Sequence, residues 1–246
     1  MDKFKNLQKI EFVLTNACTG RCKHCSQGDH SVSGGCLDAE VAKRCIGSLC
    51  SHYDIKTALV FGGEPLIFAD TACDIISYAS DIGINKRQII TNGYFTKDKA
   101  RVREVARALS RCGVNDLLLS ADAFHQEYIP FEAVEFFAKE LKDCGVPTRI
   151  QPAWLVGEDS NNIYNQKTRE IVNRLCDTGF AKSDGNVVFF EGNAKKFLSE
   201  YFKDTLPKNP YVENPDDIRC ISVDEQGNAL YGNIYRNDIM DIIKTR

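Results

Sequence analysis

The chain has 246 residues, of which 43% are hydrophobic and 26% charged, and its formal net charge is −3. This composition is that of a globular protein, and the length allows one large α/β domain or two small ones. Without a basic surplus, no nucleic-acid partner is expected. No apolar run approaches the ~18–20 residues that a membrane span needs, and segment 1–9 holds no signal-peptide core, so we expect a cytoplasmic protein without membrane contact.

Strands and helices are predicted to alternate along the first 194 residues. The β-rich runs are 10–15, 57–61, 88–91, 117–120, 148–151 and 187–190. A helix is predicted in each interval, the first over 38–51, and Gly83, Gly113, Gly145 and Gly179 follow the other four as residues that end helices. Apolar residues recur at helical spacing before these glycines, as in Val134, Phe137 and Leu141. Asp70 and Thr96 are predicted to cap two of the helices at their amino ends.

This alternation predicts βαβ units around a parallel sheet, because strands such as 117–120 are apolar enough to be buried on both faces. We expect an α/β fold with six strands in an open, partial barrel over residues 1–194. Residues 195–246 leave the repeat and form a short C-terminal α+β extension. It contains a helix near 195–202 and a hairpin over 219–234 that turns at 226–228.

Polar residues and glycines follow the carboxyl end of each predicted strand. The segments are 16–25, 62–65, 91–93, 120–122, 151–152 and 191–193. Active sites of parallel α/β folds form at the carboxyl ends of the strands. The sequence therefore predicts a functional site at this edge of the sheet.

The first of these segments contains three closely spaced cysteines, Cys18, Cys22 and Cys25. In a reducing compartment such cysteines indicate metal ligands rather than disulfides. Three thiolates can hold a soft metal centre and leave one metal position open. The alternative is a structural zinc site with His24 or His30 as fourth ligand, although no second C-x2-C pair occurs.

The cysteine triplet, with Gly62–Pro65 one strand later, resembles the motifs of the radical S-adenosylmethionine (SAM) superfamily over residues 8–192. The resemblance implies a partial (β/α)6 barrel and one [4Fe–4S] cluster held by Cys18, Cys22 and Cys25. It further implies that SAM binds the open iron. Reductive cleavage of SAM then gives a 5′-deoxyadenosyl radical that abstracts a hydrogen atom from the substrate.

The same resemblance implies contacts with SAM at the other strand ends. The expected cofactor-binding residues are Gly62, Gly63, Glu64, Pro65, Thr91, Asn92, Ser120, Asp122, Gln151 and His24. Glu64 is expected to accept a bond from the SAM ammonium, and His24, in a position that is usually aromatic, to pack against the adenine. His125 and Glu127 are candidates for handling protons at the substrate.

The extension resembles a shortened SPASM-type domain, the cysteine-rich tail of peptide-modifying relatives, with only Cys220 remaining. The sequence thus predicts an oxidoreductase that modifies a peptide or protein side chain, or an amino-acid-derived metabolite. Its expected partners are an electron donor such as flavodoxin or ferredoxin and a peptide, protein or small-molecule substrate. A glycyl-radical enzyme activase is the alternative, and a non-catalytic Fe–S or zinc-binding protein is the alternative from another class.

Overall fold

The computed structural model describes residues 2–203 and 206–244. The strands are β1 (Lys9–Thr15), β2 (Thr57–Gly62), β3 (Lys86–Thr91), β4 (Asp116–Ser120), β5 (Thr148–Gln151), β6 (Ala153–Leu155), β7 (Ala181–Lys182), β8 (Asn186–Val188), β9 (Cys220–Val223), β10 (Asn228–Ala229) and β11 (Gly232–Asn233). The helices are α1 (Ala39–Cys50), α2 (Ala69–Asp81), α3 (Lys99–Arg111), α4 (Phe131–Asp143), α5 (Ile163–Cys176), α6 (Gly192–Phe197) and α7 (Ile239–Lys244). Short 3₁₀ turns lie at Pro65–Phe68 and Ser199–Phe202.

Nine of the strands form one sheet in the order β11-β10-β9-β1-β2-β3-β4-β5-β7. The neighbours from β9 to β7 are parallel, and only the pairs β9–β10 and β10–β11 are antiparallel. Within the described residues the two edge strands of this order do not pair with each other. The α/β fold with an open, parallel sheet is therefore confirmed, and helices α1 to α5 fill the intervals as predicted.

The predicted sixth strand was wrong in its position. The strand beside β5 is β7, whereas the segment expected to be strand six is mainly β8, which pairs with β6 in a separate two-stranded sheet. Pro152 explains the change, because it has no backbone N–H to donate to the main sheet. Its carbonyl instead accepts the Asn186 N–H at 2.8 Å, and this bond leads the chain into the smaller sheet.

The helix ends agree with the sequence at their glycines and differ at two caps. Gly83, Gly113, Gly145 and Gly179 all have positive φ angles just beyond their helices. Asp70, however, lies inside the first turn of α2, since the 3₁₀ turn before it leads directly into the helix. At α3 the cap is Asp98, whose carboxylate accepts the Ala100 N–H, while Thr96 accepts the Asp98 N–H at 3.1 Å.

The main core lies between the large sheet and helices α1 to α5. The apolar faces predicted from the helical spacing are buried there, including Val134, Phe137 and Leu141. A second, smaller apolar cluster surrounds Phe124 and Leu155 near the end of β4. In the described part of the chain, none of the helices has the length and apolar character that crossing a bilayer requires.

The C-terminal extension adds strand β9 to the edge of β1 that does not pair with β2. Strand β9 runs parallel to β1, with Lys9 opposite Cys220 and Phe12 opposite Val223. The predicted hairpin forms between β9 and β10, and Asp224 holds its turn by accepting the Asn228 N–H at 2.8 Å. Helix α7 packs on α1, where Ser48 donates to Asp238 at 2.6 Å.

Candidate functional site

The three predicted ligand cysteines lie in the loop that joins β1 to α1, at the carboxyl end of the sheet. Cys18 and Cys22 are buried and Cys25 is partly buried. All three line a cavity of about 520 Å³ at the centre of the partial barrel. Burial raises the pKa of the Cys18 thiol to about 12 and also raises that of Cys22, with nearby negative charges adding to the effect. A bound metal centre is therefore what would keep these sulfurs as thiolates.

Gly62 and Gly63, at the end of β2, pack closely against the backbone that leads into the cysteine loop, the segment with Cys18, Cys22 and Cys25. The Gly63 N–H donates to the Thr15 carbonyl and the Glu64 N–H to the Ala17 carbonyl, each at 2.7 Å. A Cβ atom on Gly63 would lie 2.3 Å from the Ala17 oxygen. Only glycine allows so close an approach between the two backbones. Gly62 and Gly63 also line the cavity, whereas Pro65 does not.

Glu64 is bonded through its carboxylate to residues at the ends of β2 and β3. Its side chain is fully buried and absent from the cavity wall. One carboxylate oxygen accepts the Leu66 N–H at 2.9 Å and the Thr91 hydroxyl at 2.7 Å, and the other accepts the Asn92 N–H at 2.7 Å. Glu64 therefore ties the end of β2 to the end of β3, and the contact with the SAM ammonium expected from the sequence stays a prediction.

The turn after β3 contacts the cysteine loop through Asn92. Its side-chain amide faces the Cys18 sulfur at 3.7 Å and the Thr19 hydroxyl at 3.2 Å. Thr91 and Asn92 both line the cavity, although the Thr91 hydroxyl is already bonded to Glu64.

The first residues of α6 hold the other side of the cysteine loop, and no role was predicted for them. The Asn193 N–H donates to the Cys25 carbonyl at 2.9 Å, and its side-chain amide donates to the Cys22 carbonyl at 3.2 Å. A Cβ atom on Gly192 would lie 2.4 Å from the Cys25 oxygen. The position of both residues at a predicted strand end was the available signal.

Beyond β4, a buried polar group lies beside Cys22. Asp122 accepts bonds from the His125 ring at 2.8 Å and from the backbone N–H groups of Phe124, His125 and Ala153. Burial alone raises the pKa of Asp122 and lowers that of His125. Their mutual attraction outweighs burial, so the pKa of Asp122 falls to about 2 and that of His125 rises.

His24 packs against two rings of this group, with centroids 4.8 Å from Phe124 and 4.9 Å from His125. Burial lowers the pKa of His24 to about 4, so the ring is neutral. Its Nδ1 atom is buried and bonds to no other described group. Both His24 and His125 line the cavity.

The remaining predicted residues divide into two groups. Ser120, Asp122 and Gln151 line the cavity. Glu127 does not, because its carboxylate pairs with Lys23 at 3.0 Å on the outer side of the cysteine loop. The structure thus brings His125 to the cavity and leaves Glu127 outside it.

The end of the cavity away from the cysteines is polar. Lys9 and Glu11 form an ion pair at 2.7 Å on the inner face of β1, and Gln88 lies on the inner face of β3. The sequence analysis assigned no role to these residues. Charged side chains at alternate positions of a strand that is otherwise buried were the signal that could have found them.

The extension supplies part of the cavity wall. Asn209 and Tyr211 both line it, and each bonds to the barrel. The Asn209 amide donates to Glu191 at 3.2 Å, and the Tyr211 hydroxyl donates to the Asn186 side chain.

The arrangement of the sulfurs fits a cluster better than a single ion. Around one zinc ion, tetrahedral Zn–S bonds of 2.3 Å place the sulfurs about 3.8 Å apart. The three cysteine sulfurs do not meet within 4.8 Å, whereas Cys22, His24 and His125 do. A cluster offers separate iron corners to separate thiolates. Gly20 keeps the space between them open, because its Cβ atom would lie 3.3 Å from the Cys22 sulfur.

Two curated relatives resemble this chain in sequence. A probable GTP 3′,8-cyclase of Methanocaldococcus jannaschii is 25% identical over 127 residues, which are 51% of this chain and 40% of that protein. A probable GTP 3′,8-cyclase of Sulfolobus acidocaldarius is 28% identical over 96 residues, which are 39% of this chain and 30% of that protein. The chain thus spans less than half the length of the curated relatives it matches.

Solved structures share the fold at low identity. Streptococcus suis SuiB bound to S-adenosylmethionine has a TM-score of 0.65 and 12% identity, covering 97% of this chain and 65% of that one. Native anSMEcpe with bound AdoMet has a TM-score of 0.60 and 16% identity, covering 97% and 80%.

Residues 12–197 of the chain match the radical SAM superfamily. This match makes the protein an enzyme whose cofactors are a [4Fe–4S] cluster and SAM. The chain belongs to the radical SAM superfamily.

Proposed function

We propose that the enzyme abstracts a hydrogen atom from a peptide or protein side chain, or from an amino-acid-derived substrate. Cys18, Cys22 and Cys25 would hold the cluster, and the cavity beneath them would take SAM and then the substrate. When bound, the cluster and SAM supply reductive cleavage of SAM to methionine and a 5′-deoxyadenosyl radical that removes hydrogen.

The distribution of polar and apolar side chains along the cavity is the main support for this proposal. An apolar belt that includes Phe61, Ile90 and Leu118 lies between the level of Glu11 in the sheet and the cysteine end of the cavity. The belt keeps water away from the position of hydrogen abstraction, where a radical would otherwise be quenched. On the far side of the belt, the Glu11 carboxylate can accept hydrogen bonds from the ammonium group of an amino-acid derivative, and the Lys9 ammonium can donate to its carboxylate.

Cyclisation of GTP is a second candidate, because both curated relatives carry that name. A triphosphate is bound by Lys and Arg side chains or by clustered backbone N–H groups. Among the described residues that line the cavity, Lys9 is the one Lys or Arg, against the acidic Glu11, Asp122 and Glu191. This balance favours a cationic or zwitterionic substrate over a nucleoside triphosphate.

We further propose that residues 195–246 act as a wall for the substrate cavity of the barrel formed by residues 1–194. The bonds from Asn209 and Tyr211 to the barrel support this role. Of the three cysteines, Cys25 is the least buried. We therefore propose that a flavodoxin or ferredoxin delivers the electron from the side of Cys25.

Anaerobic reconstitution tests the proposed function. Protein reconstituted with iron and sulfide is mixed with SAM and dithionite, and 5′-deoxyadenosine is measured by mass spectrometry. Parallel reactions contain GTP, a mixture of free L-amino acids, or small peptides encoded near the gene. We expect 5′-deoxyadenosine in all reactions and a mass change only in an amino acid or peptide. A cyclised GTP product would replace the proposal by the second candidate, and no 5′-deoxyadenosine would contradict both.

A further inference from the structure

The Asn92 side chain makes a contact that SAM binding does not explain. Its Nδ2 atom lies 3.7 Å from the Cys18 sulfur, within the range of an N–H···S hydrogen bond. The same sulfur accepts the Gly20 backbone N–H at 3.3 Å. Asn92 is therefore the side-chain donor to this sulfur, and Gly20 is the backbone donor.

The orientation of the Asn92 amide follows from its other partner. The Tyr94 backbone N–H lies 2.8 Å from the Asn92 Oδ1 atom. Because a backbone N–H can only donate, the Asn92 atom that faces it must be the carbonyl oxygen. The NH₂ group then points towards Cys18 and Thr19, so the sulfur receives a donor rather than an acceptor.

The backbone of Asn92 is held as firmly as its side chain. Its N–H donates to the buried Glu64 carboxylate at 2.7 Å, and only 5% of the residue is exposed. The amide is thus fixed before any metal centre binds. A donor held in place in this way does not have to reorganise when the charge on the sulfur changes.

We propose that Asn92 is a positioning residue whose amide stabilises negative charge on the Cys18 sulfur and so raises the reduction potential of the cluster. The proposal rests on the assignment of Cys18 as a cluster ligand. One-electron reduction adds negative charge to the cluster, and part of that charge lies on the ligand sulfurs. An N–H donor stabilises the reduced state more than the oxidised state, and hydrogen bonds to sulfur are a main determinant of cluster potentials.

The test is an anaerobic redox titration of the reconstituted protein, in which the EPR signal of the reduced cluster is followed. Two variants are compared with the unaltered chain. Asn92→Leu removes the donor at similar size, and Asn92→Asp keeps the acceptor for Tyr94 but places an oxygen near the sulfur. We expect both midpoint potentials to move to more negative values, with Asn92→Asp moving further, while each variant keeps about four irons per chain.

Thr19→Val is the matched control, because it removes the other partner of the same NH₂ group and leaves the sulfur contact intact. Its potential is expected to equal that of the unaltered protein. Equal shifts in Thr19→Val and Asn92→Leu would mean that Asn92 acts only by holding the loop, and would overturn the proposal. Unchanged potentials in both Asn92 variants would overturn it as well.

Resonance Raman spectra of the holoprotein give a second readout. An exchangeable N–H donor on a ligand sulfur shifts the iron–thiolate stretching bands when H₂O is replaced by D₂O. We expect this shift in the unaltered protein, where the Gly20 N–H also contributes to it, and a smaller shift in Asn92→Leu. If the Asn92 variants lose their cluster, absence of the D₂O shift in the unaltered protein contradicts the proposal. If the unaltered protein itself assembles no cluster, the ligand assignment fails, and that failure is distinct from a failure of Asn92 alone.

Discussion

The proposed cluster site has three cysteines for three iron ligands, so each of them is needed. Cys18, Cys22 and Cys25 line one cavity, and His30 reaches only Cys25, at 3.1 Å. We predict that changing any of the three cysteines to alanine abolishes both the Fe–S absorbance near ~400 nm and SAM cleavage, because a three-ligand site cannot lose a ligand. Absorbance spectra and 5′-deoxyadenosine analysis measure the two effects. Cys36→Ala is the control, since Cys36 is close in sequence but does not line the cavity.

Glu64 gives a prediction about stability. In Glu64→Gln, one of the carboxylate oxygens that accept bonds from Leu66, Thr91 and Asn92 becomes an NH₂ group that faces another donor. A buried polar group without a partner costs about 1–3 kcal/mol. We expect a loss of that size in the free energy of unfolding of the metal-free protein, measured by urea denaturation.

Glu127→Gln is the matched control for this change, because Glu127 pairs with Lys23 near the surface and is expected to contribute little. Equal stabilities of Glu64→Gln and the unaltered protein would show that the ties between β2 and β3 do not stabilise the fold.

At the scale of the strands, Asp116 joins three neighbours at the amino end of the sheet. Its carboxylate accepts the Gln88 amide at 2.6 Å and the Arg149 guanidinium at 2.7 Å, and Lys86 lies 3.0 Å away. Burial raises the pKa of Asp116, but these donors outweigh it and hold the pKa below its ordinary value. The carboxylate therefore links β3, β4 and β5 in its ionised form.

This link makes stability depend on pH. A carboxyl group with a lowered pKa in the folded state stabilises the fold above its unfolded pKa, and the effect is lost as the pH falls through the folded value. We predict that Asp116→Asn lowers the unfolding free energy by about 1–2 kcal/mol at pH 7, allowing for the partial exposure of its partners. The difference from the unaltered protein should shrink as the pH falls below ~3.9, in urea titrations at several pH values.

Asp70→Asn serves as the comparison for Asp116→Asn, since the Asp70–Arg101 pair is exposed and exposed pairs contribute little. A difference between Asp116→Asn and the unaltered protein that does not change with pH would contradict the assigned role of the carboxylate.

Local patterns in the sequence were sufficient for most elements and for the cavity. Apolar spacing and helix-ending glycines predicted α1 to α5, and cysteine spacing with the strand ends predicted residues that meet at one cavity. The sixth strand failed because a short strand is defined by its partner, and nothing local showed that Pro152 would redirect the chain to β8. The bonds from Leu66, Thr91 and Asn92 to Glu64 were not predicted either, because sequence spacing does not show which way a buried side chain points.

Contacts between distant segments could not be predicted in the same way. Asn193 lies far from Cys22 in sequence, and the amide–carbonyl bond between them needs the barrel to be in place. The thiols of Cys73 and Cys112 are in hydrogen-bonding contact across α2 and the end of α3, although the two residues are far apart in sequence. Two helix faces that look like ordinary apolar stripes do not reveal which of their residues will meet.

At the scale of the whole molecule, the positions of the spare cysteines determine the iron content. In the sheet, Cys220 lies opposite Lys9 at the start of β1, whereas the cysteine loop follows the end of that strand. Seven strand residues separate the two positions by roughly 20 Å. Cys73 and Cys112 supply two thiols, and a further cluster needs three or four. We predict about four irons per chain after reconstitution, with no loss in Cys220→Ala. Iron near twice that amount, lost in Cys220→Ala, would contradict a single cluster.

The parallel pairing of β9 with β1 has a consequence for synthesis on the ribosome. Strand β1 is synthesised long before its partner at one edge, which begins only at Cys220. Until that point is translated, Lys9 to Phe12 present unpaired N–H and C=O groups along an open edge, which is a template for association with other chains. We therefore expect nascent chains stalled before residue 220 to associate with one another or with chaperones far more than chains stalled after β9.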